Sequence, residues 1–107
     1  MEHVLKFCKM REVISPSRSN SVDAGIDFRI PASYPKTEIK PNESILIPSG
    51  IKVDVPEGWA LIFMNKSGIA AKRKLLVGAQ VIDTGYQGEC HINLHNVGSE
   101  SVFIEGG

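Results

Sequence analysis

Punctuation constrains this chain more than any other feature. The stretches "SPSRSN", "PASYP", "KPNES", "IPSG" and "VPEG" all fall within the first 60 residues. Each clusters residues that fix turn dihedrals or remove a backbone donor. What lies between them is short and rich in β-branched or aromatic residues: "HVLKF", "IDFRI", "SILI", "IKVDV" and "WALIF", with "CHINL" and "VFI" later. These segments read as strands. In "IKVDV", Ile51, Val53 and Val55 share one face while Lys52 and Asp54 share the other, the alternation of a half-buried strand. Short strands at this spacing predict an all-β sandwich or barrel. The one helical segment expected is a turn or two at "SGIAAKRK", residues 67–74. No repeat, low-complexity tract or linker divides the chain, so residues 1–107 are expected to form one domain.

A chain of 107 residues is near the small end of what one core supports, so a large binding surface is expected to need further copies of the chain. Twelve basic and twelve acidic side chains cancel. Long-range attraction to nucleic acid or an anionic membrane is therefore not expected, and an anionic ligand must be met by a local site. Cys8 and Cys90 lie far apart with no partners at metal-ligand spacing. The N-terminus lacks an apolar leader, and no apolar run approaches the roughly 20 residues of a membrane span. The expectation is a soluble, intracellular, cytoplasmic protein with reduced thiols.

Three stretches carry candidate chemistry. In "VIDTGYQGE", residues 81–89, Asp83 follows two branched apolar residues and precedes a Thr-Gly-Tyr turn. Alone, Asp83 reads as an Asx-type turn and Tyr86 as ordinary core. In "NKSGIA", residues 65–70, a hydroxyl at Ser67, close approach at Gly68 and a cation at Lys66 open the helical segment. That combination suits a phosphate chain, although Ser67 read alone is simply a helix cap. In "DAGIDF", residues 23–28, Gly25 permits unusual backbone and Asp27 interrupts an apolar strand. A strand-edge charge is the plain reading there.

In this order and at these separations, the three stretches resemble the motifs of the trimeric dUTP pyrophosphatase (dUTPase) family. The first is similar to Ala24-Gly25-Ile26-Asp27-Phe28, the second to Lys66-Ser67-Gly68-Ile69-Ala70, and the third to the run from Gly78 to Glu89. The intervening "IPSGIKVDVPEGWALIF" extends the resemblance over nearly the whole chain from about position 20. Departures are specific. Lys66 stands where Arg is usual, as in some viral members, keeping the charge and losing the bidentate fork. Gly85 replaces a second acid, and Gln80 sits where small residues are common. The family's fourth motif, on a further strand, and its Gly-rich C-terminal arm are expected to be missing, because the sequence stops at "EGG".

The resemblance implies a distorted jelly-roll or β-barrel and hydrolysis of dUTP to dUMP and pyrophosphate. Asp83 would be the general base, with Asp27 in support. Lys66, Ser67 and Gly68 would hold phosphates. Gln80, Val81, Ile82 and His91, on the two arms of the third-motif hairpin, would meet the uracil edge, and Tyr86 would lie against the deoxyribose and exclude a 2′-hydroxyl. Mg²⁺ would be bound through triphosphate oxygens and water, with no metal ligand on the protein, and the assembly would be a homotrimer with active sites between subunits.

Other residues receive plainer readings. His91 and His95 are four apart on a strand, roughly 13 Å end to end, too far to share a metal within one chain. Lys72, Arg73 and Lys74 read as a solvated face, and Trp59 is expected to pack. Two rival functions stand beside hydrolysis. A dCTP deaminase shares this fold but carries a catalytic Glu on the next strand, where this chain has Asn93. A non-catalytic binding or assembly subunit is the other.

Overall fold

The computed structural model describes residues 5–18, 20, 25–78 and 81–107, apart from the Ser67 side chain. Among the described residues nine short strands and one helix follow in order: β1 (Lys6–Lys9), β2 (Thr37–Ile39), β3 (Ser44–Pro48), β4 (Ile51–Asp54), β5 (Ala60–Ile62), α1 (Ser67–Arg73), β6 (Leu75–Val77), β7 (Val81–Asp83), β8 (His91–Asn96) and β9 (Val102–Ile104). They pair antiparallel as β1-β4, β2-β9, β3-β8-β6 and β5-β7. Most partners are distant in sequence, so ladders are closed by long-range contacts and the strands stay short. This is the all-β, jelly-roll arrangement expected.

Local sequence explains the turns. Glu43 N–H donates to Lys40 C=O at 3.0 Å across "KPNE", and Trp59 N–H donates to Pro56 C=O at 3.0 Å across "PEGW". Positive φ occurs only at the third residue of each, 67° at Asn42 and 84° at Gly58, which makes both type II turns with Pro at or before the bend. In β4 the alternation holds: Ile51, Val53 and the following Val55 are buried, whereas Asp54 is exposed.

Two apolar clusters fill the interior. One joins Val13, Ile51, Val53, Val55 and Cys90, with Phe28, Phe63 and Ile82 packed against it. The other joins Ile39, Ile47, Leu75 and Ile104. Full burial of each such side chain contributes about 1.5–3 kcal/mol. Asn96, the largest buried polar residue, is satisfied by donating from Nδ2 to Ile39 C=O (2.7 Å) and Glu100 C=O (2.9 Å), and by accepting from Gly98 N–H at Oδ1 (2.9 Å).

Several expectations need correction. "IDFRI" forms no strand: only Asp27 pairs, in an isolated bridge with Ser17, while Phe28 and Ile30 turn their side chains into the two clusters. Burial of these apolar groups is achieved without a ladder. Trp59 does not pack inside; it stands half exposed on its turn. The segments "TEI" and "LLV", which carry no alternation long enough to read, are strands because β9 and β8 lie beside them. No described helix is long and apolar enough to cross a membrane.

Candidate active site

The third motif straddles two sheets. β7 pairs with β5, in the register Ala60↔Asp83, Leu61↔Ile82 and Ile62↔Val81. β8 pairs instead with β3 and β6. The chain that joins them, residues 84–90, therefore connects two diverging arms, and an open cavity of about 510 Å³ lies between them. Leu46, Phe63, Val81, Ile82, Asp83, Tyr86 and His91 line it. The volume falls within the range of small-molecule sites. Its walls are mostly apolar and aromatic, with one carboxylate and one imidazole.

Strand alternation sets Asp83. Ile82 points into the first apolar cluster, so its neighbours Val81 and Asp83 face outward, and both are exposed. The turn after Asp83 follows from the sequence: Tyr86 N–H donates to Asp83 C=O at 3.2 Å, and Gly85 has φ 89°. Positive φ at the third position alone makes this another type II turn, which Gly permits without strain. The Thr84 hydroxyl bridges to the Pro56 and Trp59 carbonyls at 3.0 and 3.1 Å, fastening the turn to "PEGW". The strand end is thus fastened while the Asp83 carboxylate faces solvent.

Tyr86 is held across the arms. Its hydroxyl donates to Glu89 C=O at 3.0 Å, and its ring lies over Gly88, where a β-carbon would sit 2.7 Å from the Tyr86 oxygen. His91 places Nδ1 3.0 Å from the same Glu89 carbonyl. Phe63 is braced by Phe28, ring centroids 5.1 Å apart and 88° between planes, an edge-to-face contact.

Glu89 itself turns away from the cavity. Arg11 grips its carboxylate with Nε at 2.7 Å and Nη2 at 3.0 Å, and Gly50 N–H donates to it at 2.8 Å. The Arg11 hydrogen bond, helped by Gly50 N–H and opposed by burial, holds the Glu89 carboxyl below the usual carboxylate range. Burial pushes the Cys90 thiol up, keeping it protonated.

The second motif occupies a different place. Asn65 Oδ1 accepts from Val77 N–H at 2.7 Å, pinning the loop before α1, and Ala70 N–H closes the first helical turn on Lys66 C=O at 2.8 Å. Lys66 Nζ lies 3.4 Å from Asp27 Oδ1, so the structure joins the first motif to the second. It does not bring Lys66 or Gly68 to the cavity wall. Gln80 and the Ser67 side chain lie outside the described residues. Among the described residues no cluster of three or more His, Cys, Asp or Glu side chains is placed to hold a metal ion.

Sequence reasoning does not single out Leu46, Phe63, Thr84, Arg11 or Glu89. Leu46 and Phe63 look like any strand residue, and their place depends on which strands pair. The sequence places Glu89 at the end of the third motif, directly after Gly88, and says nothing of its partner.

A family model described as dUTPase matches residues 11–107. The chain is 35% identical over 104 residues to the deoxyuridine 5'-triphosphate nucleotidohydrolase of Chlamydia muridarum, covering 94% of this chain and 71% of that one. A Staphylococcus bacteriophage 80alpha dUTPase with dUPNHPP superposes with TM-score 0.79 at 27% identity, covering 90% of this chain and 56% of that one. The dUTPase of phage phi11 of S. aureus, a structure concerned with coordination of a structural Mg(II) ion, gives TM-score 0.79 at 28% identity, covering 90% and 61%. This chain thus spans little more than half the length of those phage proteins.

Proposed function

The chain belongs to the dUTPase family, and from that premise we propose that it hydrolyses dUTP to dUMP and pyrophosphate, with the nucleoside seated between β7 and β8. The observation that carries this reading is Asp83, an exposed carboxylate on a strand end, set in the wall of a mostly apolar and aromatic cavity.

Asp83 acts as general base. It accepts a proton from water as the water oxygen bonds to the α-phosphorus; the bond from that phosphorus to the α,β-bridging oxygen breaks, and pyrophosphate leaves. Such a base contributes about 10²–10⁴-fold. The type II turn and the Thr84 bridges hold the backbone at Asp83 in place before substrate arrives, which limits the reorganisation needed. Uracil is recognised by backbone groups of the two arms, with Val81, Ile82 and His91 around it, and Gln80, outside the described residues, is read as a further contact. A site built of such groups rejects cytosine by leaving buried polar atoms unpaired. Tyr86 packs on the sugar and excludes a 2′-hydroxyl.

Mg²⁺ would enter with the triphosphate rather than on a protein ligand, and would supply neutralisation of the charge on the leaving pyrophosphate. The side chains lining the cavity include one carboxylate, Asp83, and one imidazole, His91.

Lys66, Ser67 and Gly68 contact phosphates in a homotrimer whose sites lie between subunits. Two features support that assembly. Lys66 and Gly68 are not on their own chain's cavity wall. Beyond the cavity wall, the outward face of β5 and the residues after it leaves Ile62 and Met64 exposed, apolar surface of the kind that marks an interface. Lys66 is held ready by Asp27, its counter-charge until phosphate binds.

Incubation with dUTP and with dCTP tests the reading. Pyrophosphate from dUTP is expected. Ammonia from dCTP would make the chain a deaminase, and neither product would make it a binding subunit.

A further inference from the structure

Glu89 links two residues of the cavity wall, Tyr86 and His91, to the far side of the domain. Its side chain turns away from the cavity and lies largely covered, 9% exposed, in the fork of Arg11, which is itself 49% exposed. Its carbonyl points the other way and accepts from both Tyr86 and His91. A carbonyl oxygen only accepts, so the His91 proton must reside on Nδ1, and in the neutral ring Nε2 is left as an acceptor. The orientation of Tyr86 and the tautomer of His91 thus depend on a single backbone oxygen.

That oxygen is placed by groups far away in sequence. Gly50 has φ 77°, and a β-carbon there would meet Val13 Cγ1 at 3.0 Å; the tight turn aims its N–H at the Glu89 carboxylate. Beside it, Ser49 N–H donates to Cys90 C=O at 3.0 Å and Cys90 N–H donates to Ile51 C=O at 2.8 Å. Met10 N–H donates to Gly50 C=O at 2.7 Å, which brings Arg11 to the same turn. The side-chain clamp and the backbone ladder hold residue 89 from two sides.

We infer that Glu89, clamped by Arg11 and the Gly50 amide, is a positioning residue for sugar selection: it fixes the carbonyl that orients the Tyr86 ring and sets the His91 tautomer. This rests on reading the cavity as a deoxyuridine site. Nothing in the clamp touches the reacting atoms, so its loss should alter which nucleotide is accepted more than how fast a good one turns over.

The test compares the parent with Arg11→Ala, Arg11→Lys and Glu89→Gln by two readouts. One is the ratio of kcat/KM for dUTP to that for UTP. The other is the NMR signature of the Tyr86 ring and of the His91 ring nitrogens. Arg11→Ala removes only an exposed side chain, so it keeps the test usable if Glu89→Gln fails to fold. The expected result is a roughly fivefold fall in the ratio for Arg11→Ala, displaced Tyr86 and His91 signals, and partial recovery with Arg11→Lys. A folded Arg11→Ala that loses both substrates equally, or keeps the parent's ratio and ring signals, overturns the inference and leaves a plain structural ion pair. A parent that releases no pyrophosphate from dUTP overturns the proposed function instead, and the ring signals alone then decide whether the clamp positions the two side chains.

Discussion

Replacing Gly88 by Ala separates the position of Tyr86 from the stability of the fold. Gly88 does not sit at positive φ, so alanine's backbone is not strained there. The added β-carbon would lie 2.7 Å from the Tyr86 oxygen and 2.9 Å from its Cζ, well inside ordinary contact distance. One of the two must yield, and the ring is the softer partner: it is 45% exposed and can swing about two dihedrals. In leaving, it gives up the 3.0 Å hydrogen bond to Glu89 C=O, a loss of about 0.5–1.5 kcal/mol. Alanine in turn restricts the unfolded chain, which stabilises by about 0.4–1 kcal/mol. The two nearly cancel, so a urea titration should show a change in unfolding free energy within about 1 kcal/mol. Sugar selection should not survive so well. With the ring displaced, the ratio of kcat/KM for dUTP over UTP should fall about tenfold, equivalent to about 1.4 kcal/mol. Tyr86→Ala serves as the limit, because it removes the ring altogether. A Gly88→Ala protein that discriminates as well as the parent would show that the ring's seat is not used. A stability loss above about 3 kcal/mol would show that the backbone, not the ring, gave way.

Three further outcomes are expected. Asp83→Asn should keep dUTP affinity, measured by calorimetry, while pyrophosphate release falls by about 10²–10⁴-fold; equal turnover would remove Asp83 from the mechanism. Gly50→Ala should cost about 3 kcal/mol in urea unfolding, combining left-handed backbone with overpacking against the buried, stiff Val13, and a loss below about 1 kcal/mol would mean that the turn relaxes freely. Glu89 should appear in acid stability. Its carboxyl is depressed in the folded state, chiefly by Arg11. Its contribution is therefore full above the unfolded carboxyl value of about 4.3 and is lost as pH falls through the lower folded value. Thermal melts from about pH 5 to about pH 3 should accordingly fall less steeply for Glu89→Gln than for the parent; parallel slopes would deny the carboxylate this role.

What the sequence determined by itself was local. Type II turns need a residue tolerant of positive φ at one position, and "KPNE", "PEGW" and "DTGY" each supply it, at Asn42, Gly58 and Gly85. Alternation over two residues fixed the buried face of Ile51, Val53 and Val55, and the short helix runs over Ser67–Arg73, inside the stretch expected. These features depend on neighbours one to four residues away, so a linear reading reaches them. Asp83 also stood out locally, as a charge ending an apolar pair.

Tertiary pairing decided the rest. "IDFRI" has the composition of a strand, yet its backbone meets only Ser17 at Asp27 because Phe28 and Ile30 bury themselves in separate clusters. "LLV" has no readable period and becomes β6 because Leu75 and Val77 face Asn96 and Leu94 of β8. The cavity exists because β7 follows β5 while β8 follows β3, a divergence that no property of residues 81–91 announces. Arg11 and Glu89 stand 78 positions apart, and their partnership arises only once the Gly50 turn has brought the two segments together. A hydrogen bond across that separation is set by the whole chain's path, and it is there that sequence periodicity ceases to carry information.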